Sequence, residues 1–153
     1  MRGHPVLAAA LLAAGVGLRA LHLGGPAFGF DELYHVFAAR SFLEGHGLTL
    51  PSDRPYDRGR LVTLLTALAF ALLGEGEAQA RLPSLLFGTA TLALVYAAGR
   101  WLFGPAAGLT ALALLAFSPH ALDADRFARV YSPLAFFALV AALATFRALE
   151  PPP

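Results

Sequence analysis

The sequence predicts an all-α integral membrane protein, with about four transmembrane helices and amphipathic juxtamembrane helices in its first polar loop. Three observations carry that reading. Hydrophobic residues make up 58% of the 153-residue chain and charged ones only 14%, where a soluble domain carries roughly 25% charge. The mean hydropathy is +0.64. The apolar residues gather in runs close to the length of a membrane span. A net charge of +1 makes no case for nucleic acid, and the absence of cysteine excludes disulfides, Cys metal sites and thiol chemistry. Every basic residue apart from His is Arg. Arg suits phosphate through its planar fork, although a GC-rich genome produces the same bias.

The first span is read at residues 5–23, about 28 Å of helix against a hydrocarbon core of about 30 Å. A cleaved signal peptide is the competing reading, but the run is long for one and no Ala-x-Ala site follows it. A polar loop, Gly24 to Arg60, comes next. Its first part predicts a helix over 31–44, with apolar positions at Leu33, Val36, Phe37 and Leu43 and a stop at Gly45 and Gly47. The aromatic-rich face of that helix suits the membrane interface. Its second part, Pro51 to Arg60, gathers Arg54, Arg58 and Arg60 with Asp53 and Asp57, as either a solvated turn or an anion-binding lip.

Residues 61–73 are apolar apart from two threonines, yet yield only about 20 Å of helix, which favours an interfacial or re-entrant segment over a span. Gly74-Glu-Gly-Glu77 ends it. Further spans are expected at 78–98, with Pro83 tolerated near its start, at 106–122, and at 131–148. If 61–73 does not cross, Asp31 and the Asp123/Asp125 pair lie on the same side of the membrane. If it crosses, they cannot share a site. The whole chain reads as a single membrane domain.

Adjacent carboxylates beside a span mark a functional site unless they are solvated or paired, and Asp31-Glu32 is such a pair. The alternative is that Asp31 caps a surface helix, since Asp is favoured there and Glu suits a first turn. His35 lies four residues on, on the same face as Asp31. It is placed to orient or tune that carboxylate, or is simply a polar neighbour.

With those residues on the page, the chain resembles the N-terminal part of the GT-C glycosyltransferases, in particular family 39 and its bacterial relatives (the protein O-mannosyltransferase and aminoarabinose-transferase superfamily). Three stretches carry the resemblance: Asp31-Glu32-x-Tyr34 running into Ala38-Ala39-Arg40; Arg81-Leu-Pro-Ser84 opening a span that ends Gly99-Arg100-x-Leu102-Phe103-Gly104; and Ser118-Pro119 followed by Arg126-x-Ala128-Arg129-x-Tyr131. Each is weak alone, and their order and spacing together are more specific.

The resemblance implies an inverting transfer of a sugar from a polyprenyl-phosphate carrier to a protein, lipid or glycan acceptor, on the extracytoplasmic face of a bacterial inner membrane. By that likeness Asp31 is the general base, and Glu32 orients the loop or holds a cation. An acid of the second outer loop, Asp123 or Asp125, assists. Arg58, Arg60, Arg81, Arg126 and Arg129 are the candidates for the lipid phosphate, with Tyr34, His35 and Tyr131 in support. No cofactor is certain, and a divalent cation is left open because no spacing here reads as a dedicated metal site.

The sequence also departs from the family. Phe127 stands where relatives often have an acid. Relatives are several hundred residues long, so the chain reads as a truncated member. With Asp31 outside, Arg40, Arg54, Arg58, Arg60, Arg81, Arg126 and Arg129 lie outside against Arg2, Arg100 and Arg147 inside, which opposes the positive-inside tendency. Two alternatives stand beside the enzyme: a truncated inactive copy, and a small non-enzymatic membrane protein such as an assembly partner or transporter piece.

Overall fold

A computed structural model describes residues 3–149; Arg2 lies outside them. Among the described residues seven helices follow one another: α1 (Gly3–Ala20), α2 (Phe30–Leu43), α3 (Arg60–Leu73), α4 (Glu77–Phe103), α5 (Pro105–Ala116), α6 (Pro119–Asp125) and α7 (Tyr131–Leu149). Among the described residues the only extended pairing is an isolated antiparallel bridge between Thr49 and Pro55. The fold is all-α, as expected. Two helices, α4 and α7, are long and apolar enough to cross a membrane, and the α5–α6 pair makes a third if counted as one span. Helices α1 and α3 are apolar but shorter.

Local chemistry sets the boundaries. Helix α3 begins at Gly59, whose φ of 64° is left-handed and free of penalty only for glycine. A Cβ there would also lie 2.3 Å from Val130 Cγ1. Helix α4 starts at Glu77 and runs to Phe103, longer at both ends than the expected 78–98. Pro83 falls in its second turn, with Gly76 as the N-cap. Pro105 opens α5 at the first helical position, where its missing N–H is no loss.

The stretch expected as one helix over 106–122 is instead two, bent by 65° at Phe117–Ser118. Pro119 disfavours α geometry at Ser118 and has no N–H to continue the ladder. The Ser118 hydroxyl then caps α6, accepting from Ala121 N–H at 3.4 Å.

Two apolar clusters form the interior. One joins Ala8 of α1, Leu92 of α4 and Leu112 and Ala116 of α5. The other joins Val36 and Ala39 of α2, Ala67 and Phe70 of α3, Ala80 of α4 and Ala128 of the α6–α7 loop. Helix α4 is the spine that contributes to both. Its N-terminal end, with α2, α3 and the α6–α7 loop, carries the polar chemistry.

Candidate functional site

The adjacent acids at the start of α2 have opposite surroundings. Helix α2 is capped by Gly29, not by Asp31, and Glu32 is its third residue. The Glu32 carboxylate reaches back to accept from Gly29 N–H at 2.8 Å, the carboxylate half of a capping box. Capping is therefore done by Glu32, and Asp31 is released from it. A step of one residue turns a helix by about 100°, so Asp31 faces away from its neighbour.

Glu32 is fully buried. Arg81 of α4 grips it with two parallel bonds, Nε to Oε1 and Nη2 to Oε2, both 2.8 Å. Arg81 also donates through Nη1 to Leu23 O at 2.7 Å and Pro26 O at 3.0 Å, and through Nη2 to Ala27 O at 3.3 Å. An arginine has five N–H donors, and all of them are used. This departs from the expectation that Arg81 is a phosphate ligand: its guanidinium has no donor left to offer. Glu32 Oε1 further accepts from Ala128 N–H at 2.8 Å. Burial raises the Glu32 pKa, but the Arg81 hydrogen bonds, the Ala128 and Gly29 N–H groups and the Arg81 charge outweigh it. The carboxyl is held below its ordinary value.

The Ala128 bond positions the next residue. Arg129 is fixed through its carbonyl, which accepts from Ser84 Oγ at 3.2 Å, and its Nη1 meets Asp31 Oδ2 at 2.7 Å. The guanidinium also lies 5.4 Å from the centroid of the Tyr131 ring. The Asp31 side chain remains 68% exposed and that of Arg129 22%. This pair stands in the wall shared by two clefts. One, of about 600 Å³, is lined by Tyr34, His35, Arg54, Tyr56, Asp57 and Arg58 among others. The other, of about 440 Å³, is lined by Phe127 and Tyr131 with the α2 N-terminus.

Beneath the larger cleft His35 is buried, with Nδ1 2.9 Å from Thr63 Oγ1 and Nε2 3.3 Å from the Tyr56 hydroxyl. Burial, reinforced by the Arg129 charge, pushes its pKa down to about 4, so the imidazole is neutral at physiological pH. Burial likewise raises the Tyr56 pKa, with Asp31 and Tyr34 adding to the rise against Arg129 and Arg58. Tyr56 stacks on Tyr34 with centroids 6.0 Å apart.

The second-loop acids lie elsewhere. Asp125 is buried and paired with Arg19 of α1, Nε to Oδ2 at 2.7 Å, and fills a notch left by Gly88, where a Cβ would come 2.1 Å from its Cγ. Arg19 also donates to Gly15 O, Ala116 O and Leu115 O at 3.1 to 3.3 Å. Asp123 is exposed and lines neither cleft beside Asp31. Arg126 turns to Leu18 O, and Arg60 pairs with Asp57 on the surface. Of the five candidate arginines, Arg58 and Arg129 line the cleft. Among the described residues no group of three His, Asp or Glu side chains is placed to hold a metal ion.

Sequence reasoning passed over Tyr56, Thr63, Arg19 and Gly88. Arg19, near the end of an apolar run, carried the one usable signal, because a charge there needs a partner.

Compared with known proteins, residues 57–152 match the family model for dolichyl-phosphate-mannose-protein mannosyltransferase. Asp31 and Glu32 precede the matched stretch, whereas Arg81, Asp125 and Arg129 lie within it. No curated protein and no solved structure matches the chain.

Proposed function

The chain belongs to the dolichyl-phosphate-mannose-protein mannosyltransferase family, a GT-C type of integral membrane glycosyltransferase, and from that premise we propose that its Asp31 cleft moves a sugar from a polyprenyl-phosphate carrier to an acceptor hydroxyl. The observation that carries this reading is the exposed Asp31 carboxylate, held 2.7 Å from Arg129 between two clefts. The acceptor O–H gives its proton to Asp31 as its oxygen bonds the anomeric carbon. The bond from that carbon to the phosphate oxygen breaks, and the lipid phosphate leaves with the electron pair. Inversion needs base and leaving group on opposite faces of the sugar, so in this reading acceptor and carrier reach Asp31 from the two clefts it borders. Arg129 and Arg58 stabilise the departing phosphate, the electrostatic contribution such a step needs.

The topology belongs to the same proposal. Helix α3 spans about 21 Å, short of a crossing, and lies along α2: His35 bonds Thr63 near its start, and Arg40 pairs with Glu75 at 2.7 Å just beyond its end. Its exposed residues Leu61, Leu64, Leu68 and Leu72 form one stripe suited to the lipid interface. This supports both helices lying on the membrane interface; the family likeness is what places that interface, with Asp31, on the extracytoplasmic side of a bacterial inner membrane in this proposal.

Asp31→Asn tests the reading. It keeps the size of the side chain and removes its basicity, so in proteoliposomes supplied with polyprenyl-phosphate mannose and a threonine-rich peptide turnover is expected to fall about 10²–10⁴-fold. Carrier binding and thermal midpoint are expected to hold. Near-normal turnover in that variant would refute Asp31 as the base.

A further inference from the structure

Four groups form a hydrogen-bond chain beneath the larger cleft. The Thr63 hydroxyl lies 3.4 Å from Gly59 O and 2.9 Å from His35 Nδ1. His35 Nε2 lies 3.3 Å from the Tyr56 hydroxyl. A neutral imidazole has one N–H, so the ring donates at one of these contacts and accepts at the other. In either tautomer the Tyr56 hydroxyl uses only part of its hydrogen-bonding capacity on His35 and keeps the rest for the cleft.

The rest of the environment fixes this arrangement. Tyr56 N–H donates to Leu48 O at 2.8 Å, and its ring lies parallel to Tyr34 within 12° and edge-on to His35. Gly59 leaves the space that His35 occupies, since a Cβ there would come 2.9 Å from His35 Cε1. Tyr56 and Asp31 both line the same cleft.

We propose that Tyr56 is a substrate-contacting residue of this cleft, the hydrogen-bond partner of one substrate hydroxyl, and that His35 and Thr63 are the positioning residues that aim it. The proposal rests on the glycosyl-transfer reading and deepens it by naming what the cleft recognises: a hydroxyl. That hydroxyl comes from the carried sugar or from the acceptor.

Tyr56→Phe removes the oxygen and keeps the stacked ring. Binding is measured to the full chain in nanodiscs, with short-chain polyprenyl-phosphate mannose and with the same lipid phosphate lacking the sugar. A loss of roughly 3- to 10-fold, the size of one neutral hydrogen bond, confined to the mannose-bearing lipid places the bond on the sugar. Unchanged lipid binding with a like loss of affinity for the threonine-rich peptide, measured by binding in the same nanodiscs, places it on the acceptor. No change in either overturns the proposal.

His35→Gln is then combined with Tyr56→Phe. If His35 acts through Tyr56, its effect on the affected constant vanishes in the Tyr56→Phe background; additive losses overturn the positioning role. Thr63→Val, which removes only the Nδ1 partner, repeats the cycle should His35→Gln fold poorly. These binding measurements do not depend on Asp31 being the base, so the two readings fail separately.

Discussion

Asp31 and Glu32 are adjacent carboxylates with contrasting roles. Glu32 is enclosed by a five-donor arginine and two backbone N–H groups, whereas Asp31 keeps two thirds of its surface in water and meets one cation. The lesson is that the buried member holds the exposed one in place. Glu32 joins the α2 N-terminus to Ala128, and Ala128 carries Arg129 to Asp31. In the proposed reading the buried knot governs stability, while the rim pair governs the proposed chemistry. Substitutions in the two regions are expected to separate these effects.

The largest effect on folding is expected at Arg81. Arg81→Met leaves Glu32 buried and uncompensated and frees three carbonyls, a change of about 3–5 kcal/mol, read as a lower thermal midpoint in detergent. Breaking the exposed Asp31–Arg129 pair is expected to shift stability by less than about 1 kcal/mol. Equal destabilisation from both would erase the distinction.

A second, smaller contrast is expected with pH. His35 has a pKa of about 4 against an ordinary 6.5, so the unfolded chain takes the proton first. Its contribution is complete above 6.5 and declines as pH falls towards 4, a loss on the order of 3 kcal/mol at most. Thr63, Tyr56 and the Arg129 charge face it. Glu32 is also depressed, from 4.5, so its contribution is complete above 4.5 and is lost only as pH falls through the lower folded value. Midpoints measured from pH 7 to 3 are expected to show two stages, and His35→Gln should abolish the first alone. A single transition below 4.5 in the unaltered chain would contradict the His35 assignment.

The smallest effect sharpens the rim. Arg129→Lys and Arg58→Lys keep the charge and lose the fork, so bare lipid-phosphate binding is expected to weaken several-fold, about 1 kcal/mol. Arg60→Lys, on a surface pair away from the cleft, is expected to change nothing. Weakening by Arg60→Lys as well would return the arginines to a diffuse electrostatic role.

Much of the fold was legible from the sequence because apolar runs and glycine or proline punctuation report helices directly. The predicted helices over 31–44 and 61–73 fall within one residue of α2 and α3. The break in 106–122 was missed although Ser118-Pro119 was in view. The residues leading up to it, 106–117, are apolar apart from Thr110, and hydropathy does not register a bend. Within the site, Asp31, Tyr34 and Arg129 lie together. Arg81 and Asp125 are charges committed to buried partners far away in the chain, and no local spacing distinguishes such a charge from one facing a ligand. Tyr56 escaped notice because its proposed role comes through His35, which meets it, and Thr63 in turn, only in three dimensions.

The Arg19 contacts bear on how the chain is assembled. Where α5 breaks from α6, the regular helical bonding of the last α5 carbonyls is interrupted, Leu115 O keeping a long 3.4 Å bond from Ser118 N–H; Arg19 of α1 donates to Leu115 O and Ala116 O while Asp125 balances its charge. Backbone groups without donors are not tolerated in lipid. The bend therefore depends on α1, so an earlier segment of the chain acts as an internal template for a later one. Removing α1 would leave a bundle unable to fold its α6–α7 loop, which protease cleavage at Phe127 in chains shortened to remove α1 would reveal.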